Sequence, residues 1–206
     1  MMFLKTRFGL SIAFASACYV STGCQESSTP VTSRTTASGD PGLSIVEDEV
    51  PTDQQRRAML AAKDALFEKL SGRLMEVMGG QGPAAAIAVC KTEADQIADR
   101  VGESRGLKIG RTGVRLRNPN NEPPAWARPL TDQKIDTPRF VTLTNGDAAA
   151  LLPIKLQGQC LMCHGPKEQI APVVDEQLAK LYPGDEATGF EEGELRGWFW
   201  IELAAR

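Results

Sequence analysis

The sequence predicts an α+β domain in which helices come first and an antiparallel sheet follows. Three observations carry this expectation. Apolar residues recur at helical spacing from Met59 to Val101. From Leu107 onward the spacing changes to the alternation of strands, and Asn145-Gly146 between two short apolar runs signals a β-hairpin. Helices segregated ahead of an antiparallel sheet make the α+β class.

The first 24 residues read as a bacterial secretion signal. Lys5 and Arg7 give the positive start, and Phe8 to Val20 form an apolar stretch short for a bilayer. Ser21-Thr22-Gly23-Cys24 has the form of a lipobox, with Ser21 where leucine is usual. Lipidation of Cys24 would make it the mature N-terminus and anchor the chain on the periplasmic side of the bacterial envelope, at the inner or outer membrane. Ordinary cleavage is the alternative. Cys18 leaves with the signal either way. Residues 24–50 are rich in Ser, Thr, Pro, Gly and Asp, too poor in apolar surface to offset ordering, and are expected to be a flexible tether. Residues 51–206 then form one domain, long enough to bury a core.

Within that domain, Thr52 with Gln55 makes a capping box that opens a helix. Its apolar stripe runs through Met59, Leu60, Leu66, Phe67, Leu70, Leu74, Val77 and Met78 to Gly79-Gly80. A second helix starts at Pro83 and runs to about Val101, with Ile87, Cys90, Ala94, Ile97, Ala98 and Val101 on its inner face. Leu107 to Arg117 alternates as a strand, and Asn118 to Pro124 is loop. Phe140 to Thr144 and Ala148 to Ile154 are the hairpin strands. Val174 to Leu181 is a short helix, and Leu195 to Leu203 a strand with Trp198 and Trp200 on one face.

The chemistry concentrates in Cys160-Leu161-Met162-Cys163-His164. A C-x-x-C-H run is the attachment signature of c-type haem, in which two thiols form thioethers and the adjacent imidazole ligates iron. His164 is the only histidine among 206 residues, which sharpens the signal. A redox dithiol would want a βαβ setting, and half a zinc site would need ligands from elsewhere. One haem per chain is the expectation. Of five cysteines, Cys90 is then left over in an oxidising compartment, where an odd thiol calls for an explanation.

Three long segments carry a family resemblance: AIAVCKTEADQIADRVGESRGLKIGRTGVRLRNPNNEPPAWARPL, CLMCHG and LYPGDEATGFEEGELRGWFW. Together they resemble a family of single-haem c-type proteins with a PAS-like fold, once known as a domain of unknown function, whose relatives often precede membrane-bound signalling modules. The likeness spans about residues 55 to 203. It implies a PAS-like antiparallel sheet preceded by two helices, and it implies that Cys90 is the axial ligand opposite His164. Two features depart from the family pattern: Ala127 follows Trp126 where an acidic residue is expected, and the stretch from Pro129 to Phe140 is short.

Read without the family, the second axial position stays open among Cys90, the helix methionines Met59, Met75 and Met78, and an open site. Met162, inside the motif, should point away from iron. Arg111, Arg115 and Arg117 alternate, so one strand face would aim them at haem propionates or at solvent. The balance of 23 basic and 26 acidic residues, net −3, makes nucleic acid an unexpected partner. No carboxylate pair, Ser/His set or phosphate loop suggests an enzyme. The expectation is an envelope-anchored electron-transfer protein with low-potential His/Cys-ligated iron and a redox partner the sequence does not identify. The alternative is a redox or gas sensor which, since the sequence ends at Arg206 without an output segment, would act through a separate protein.

Overall fold

A computed structural model describes residues 42–205. The signal segment 1–23, Cys18, Cys24 and most of the tether lie outside the described residues. Eleven elements follow one another: β1 (Ile45–Val46), α1 (Asp53–Gln81), α2 (Pro83–Thr92), α3 (Ala94–Arg105), β2 (Lys108–Gly113), α4 (Arg128–Asp132), β3 (Arg139–Leu143), β4 (Ala148–Lys155), α5 (Leu161–His164), α6 (Pro172–Leu181) and β5 (Leu195–Leu203). The α+β class holds. The strands form one sheet in the order β1-β3-β4-β5-β2, every neighbouring pair antiparallel.

Alternation along β4 and β5 builds two cores. Ala148, Ala150 and Leu152 with Phe199 and Ile201 face Met59, Ala62, Leu66 and Leu70 of α1 and Ala94, Ile97, Ala98 and Val101 of α3. On the opposite face, Ala149, Leu151 and Trp198 pack with Leu143, Trp126 and Ala127. Twofold side-chain period makes one strand serve both layers. Ala127 is fully buried there, so a carboxylate at this position would need a buried partner.

Several local signals act as read. The Thr52 hydroxyl accepts from the Gln55 backbone N–H while the Gln55 side chain accepts from the Thr52 N–H. The Asn145 side chain accepts from the Asp147 N–H at 3.0 Å, and Gly146 takes φ +86°, closing the hairpin between β3 and β4.

Three boundaries and one helix face differ from expectation. The helix foreseen over 83–101 is two, α2 and α3, parted at Glu93. There the Thr92 hydroxyl donates back to the Ala88 carbonyl at 2.9 Å, a bond that bends helices. Arg73 forks onto the Glu93 carboxylate at 2.9 and 3.1 Å and fixes the bend. In α1, Leu60 and Phe67 are 39% and 45% exposed, because each sits one residue, about 100°, off the buried Met59–Leu66–Leu70–Val77 stripe. The strand foreseen to Arg117 ends at Gly113: Arg196 Nη1 captures the Arg115 carbonyl at 3.0 Å and the chain leaves the ladder. Thus Arg111, Arg115 and Arg117 do not share a strand face. Finally, the end of the 24–50 tether is structured: β1 pairs with β3, Ile45 opposite Leu143, and Leu43 and Ile45 pack onto the second core.

Gly110 lies directly opposite Trp200 across the β2–β5 pair. A Cβ there would fall 2.3 Å from Trp200 Cζ2, whereas one at Gly184 would meet nothing within 4 Å. We predict that Gly110→Ala lowers stability by about 1–3 kcal/mol through overpacking, while Gly184→Ala stays within about 0.5 kcal/mol. Urea midpoints at constant m-value measure both.

Candidate functional site

The motif sits outside the two sheet cores, where a 3₁₀ turn over Gly158–Cys160 runs into the single turn of α5. Gly165 ends that turn; a Cβ on it would lie 2.6 Å from the Leu161 carbonyl oxygen. Cys160 packs with Leu156, Ala187 and Phe190, and Cys163 with Ile87 of α2 and Val174, Leu178 and Tyr182 from the α6 region. The two thiols therefore look onto different apolar walls.

His164 is oriented from the loop that follows α6. Its Nδ1 lies 2.7 Å from the Ala187 carbonyl oxygen. A carbonyl only accepts, so Nδ1 carries the proton and Nε2 keeps its lone pair. The same loop ties to the motif backbone: Phe190 N–H donates to the His164 carbonyl at 3.0 Å and Gly189 N–H to that of Gly165 at 2.7 Å. Burial, then the positive charges of Arg117 and Arg196, hold the imidazole pKa well below its ordinary value; the Ala187 bond opposes them. The neutral ring is the ligand form.

Arg117 locks this arrangement. Its side chain is 8% exposed and pairs with Asp185, 9% exposed, at 3.0 Å. The guanidinium also donates to the carbonyls of Cys163 and Ala187. Asp185 meanwhile accepts the Ala187 N–H at 2.8 Å. One buried ion pair thus joins the cysteine motif to the carbonyl that orients its histidine. Arg115, by contrast, sits over the Phe190 ring at 3.9 Å from its centroid and donates to the Gly189 carbonyl. Arg111 reaches Asp95 at 3.4 Å.

Cys90 joins the site electrostatically. Burial pushes its thiol pKa up, and Arg111, Arg117 and Arg196 pull it back. Cys90 in turn acts on Cys163 and Tyr182, whose own pKa values burial raises. The rival methionines stand elsewhere: Met59 is fully buried against the sheet, Met75 is 46% exposed, and Met78 packs where α1 meets α2. Met162 is also exposed. Among the described residues no group of three or more His, Cys, Asp or Glu side chains gathers as a metal site. A cleft of about 810 Å³ opens between α3, β2 and residues 120–122, yet none of Cys90, Cys160, Cys163 or His164 lines it.

Sequence reasoning missed Asp185, the Ala187 carbonyl and Arg196. An arginine within the apolar run LRGWFWIEL was the available sign for the last. The first two act through tertiary pairing and leave no periodic trace.

Fold and site together define an α+β protein that presents a C-x-x-C-H motif with an oriented, neutral imidazole. The chain belongs to the Tll0287-like family, whose model matches residues 33–204; this is the family to which the three segments point. Among solved structures it is similar to the cyanobacterial heme-protein Tll0287, with TM-score 0.55 and 21% identity, over 76% of this chain and 98% of that one. No curated protein matches it.

Removing one member of the buried pair strands the other's charge. We predict that Asp185→Asn costs about 3–5 kcal/mol of stability. Arg115→Gln, which removes a half-exposed ring contact, should cost about 1 kcal/mol. Equal losses in chemical denaturation would contradict the central place given to Arg117–Asp185.

Proposed function

We propose that this chain carries one haem, held by thioether bonds to Cys160 and Cys163, with His164 Nε2 and Cys90 Sγ as axial ligands, and that it exchanges electrons. The observation that carries the reading is the His164–Ala187 bond, which leaves an unprotonated imidazole nitrogen next to two free thiols. The residues present fit the group: a neutral imidazole, paired cysteines one helical turn apart, apolar walls on both sides, and a second soft ligand within electrostatic reach. The relative's description as a heme-protein adds support. We read the sheet as PAS-like, since the β3-β4-β5 meander has β2 returning beside β5.

Bound haem supplies a one-electron couple at its iron; the chain sets how that couple behaves. Cys90 as thiolate donates charge and favours the ferric state, giving a low potential. Occupation of both axial positions leaves no site for substrate and favours electron transfer over enzymatic catalysis. In this reading Cys24 bears lipid and holds the protein at the envelope. A redox or gas sensor is the second reading. It is favoured by the burial that raises the Cys90 thiol pKa: a thiol that readily regains its proton lets go of ferrous iron more easily. Rapid carbon monoxide binding to the reduced protein would support the sensor, and indifference to it the electron carrier.

Three outcomes test the proposal. Coexpressed with cytochrome c maturation machinery, the protein should gain the mass of one haem that acid–acetone does not extract; extractable haem ends the covalent reading. Cys90→Ser should keep the haem but raise the reduction potential, because a hydroxyl is the weaker donor to ferric iron. If Met78→Leu has that effect instead, the ligand assignment fails. Cys24→Ser should move the chain from the membrane to the soluble fraction; unchanged partition and mass would dismiss the anchor.

A further inference from the structure

Four guanidiniums gather around the motif, and they are not equally satisfied. Arg117 has Asp185 at 3.0 Å and Arg111 has Asp95 at 3.4 Å. Arg115 and Arg196 have no carboxylate partner among the described residues. Four cations thus share two direct carboxylate partners. Arg115 spends its guanidinium on the Phe190 ring and the Gly189 carbonyl.

Arg196 is the less committed. It is half-buried on β5, and its side chain's one hydrogen bond among the described residues runs from Nη1 to the Arg115 carbonyl at 3.0 Å. Nε and Nη2 make none. A guanidinium has five N–H donors, so most of this fork is unspent. The surrounding backbone holds it in place. A Cβ at Gly113 would fall 2.4 Å from Arg196 Nη1 and 2.7 Å from the Arg115 oxygen, so only glycine leaves the slot open. Arg196 also lies over the Phe190 ring at 5.5 Å, and Phe190 N–H donates to the His164 carbonyl at 3.0 Å. Two contacts separate it from the motif histidine. Its charge acts on His164 and on Cys90, the two residues assigned to opposite sides of the iron. Burial, then the charges of Arg117, Arg111 and Arg115, lowers its own pKa to about 10, and Asp185 opposes them.

We propose that the free edge of Arg196, seated over Gly113 and Phe190, binds a carboxylate of the porphyrin as a forked pair. Planar guanidinium matches carboxylate through two parallel N–H···O bonds, which an ammonium does not reproduce. Pairing there gives Arg196 a carboxylate in direct contact and orients the cofactor edge. This inference rests on the haem reading above. It also revises the role of the arginines singled out in sequence: Arg117 is structural, and Arg196 takes the propionate.

The test uses the full haem-loaded chain and its Arg196→Gln and Arg196→Lys variants, read by resonance Raman spectroscopy and redox titration. In Arg196→Gln the propionate bending mode should shift and the potential should fall. The expected fall is a roughly tenfold drop in the ferrous-to-ferric ratio at fixed potential, about 59 mV for a one-electron couple. Arg196→Lys should keep the potential near wild type, since the charge remains, but should still shift the bending mode, since the fork is lost. An unchanged mode in either variant overturns the inference, even with an altered potential, because a field without contact would explain the latter. Should Arg196→Gln fail to mature, Arg196→Lys decides alone. Wild-type protein without haem overturns the underlying reading and this inference together; loaded wild type with indifferent variants overturns only this one.

Discussion

The Arg117–Asp185 pair is the constraint on which the site depends. A buried guanidinium is tolerated only when its charge and donors are met, and here three groups meet them: Asp185 and the carbonyls of Cys163 and Ala187. Two of these partners belong to the loop after α6 and one to the cysteine motif. Satisfying one side chain therefore forces two distant stretches into register. Loop backbone bonds to His164 and Gly165 then close the arrangement. The Ala187 carbonyl serves both Arg117 and His164, so imidazole orientation is set by the same pair.

A second consequence is electrostatic. Burial, with Arg117 and Arg196 adding to it, keeps His164 neutral; at Cys90 burial raises the thiol pKa, and Arg111, Arg117 and Arg196 work against it. The same cations thus favour the ligand form of both residues, one by repelling a proton and the other by stabilising an anion. Desolvation opposes them at Cys90 and assists them at His164. With both residues on iron as proposed, that asymmetry would make His164 the fixed ligand and Cys90 the labile one.

What the sequence revealed was local. Thr52 with Gln55 and Asn145-Gly146 each encode structure through neighbours a few residues apart and appear as read, as does the Ala94–Ile97–Ala98–Val101 half of the stripe foreseen over 83–101, whereas Ile87 packs in another cluster. The C-x-x-C-H motif was legible for the same reason. The break at Glu93 needs Arg73 from another helix, and the early end of β2 needs Arg196 from β5. The pairing of Ile45 with Leu143 spans most of the domain. None of these leaves a periodic signal. The arginines show the cost of reading by alternation: Arg111, Arg115 and Arg117 look equivalent along a strand, yet one lies in it, one stacks on a ring and one is buried in an ion pair.

The central claim is that a neutral His164 and Cys90 flank one iron. The most direct measurement is the electron paramagnetic resonance spectrum of the ferric wild-type protein. Imidazole and thiolate ligation predicts a low-spin signal with a narrow spread of g-values. A widely spread low-spin signal, as a methionine partner would give, or a high-spin signal from an open position would contradict the account.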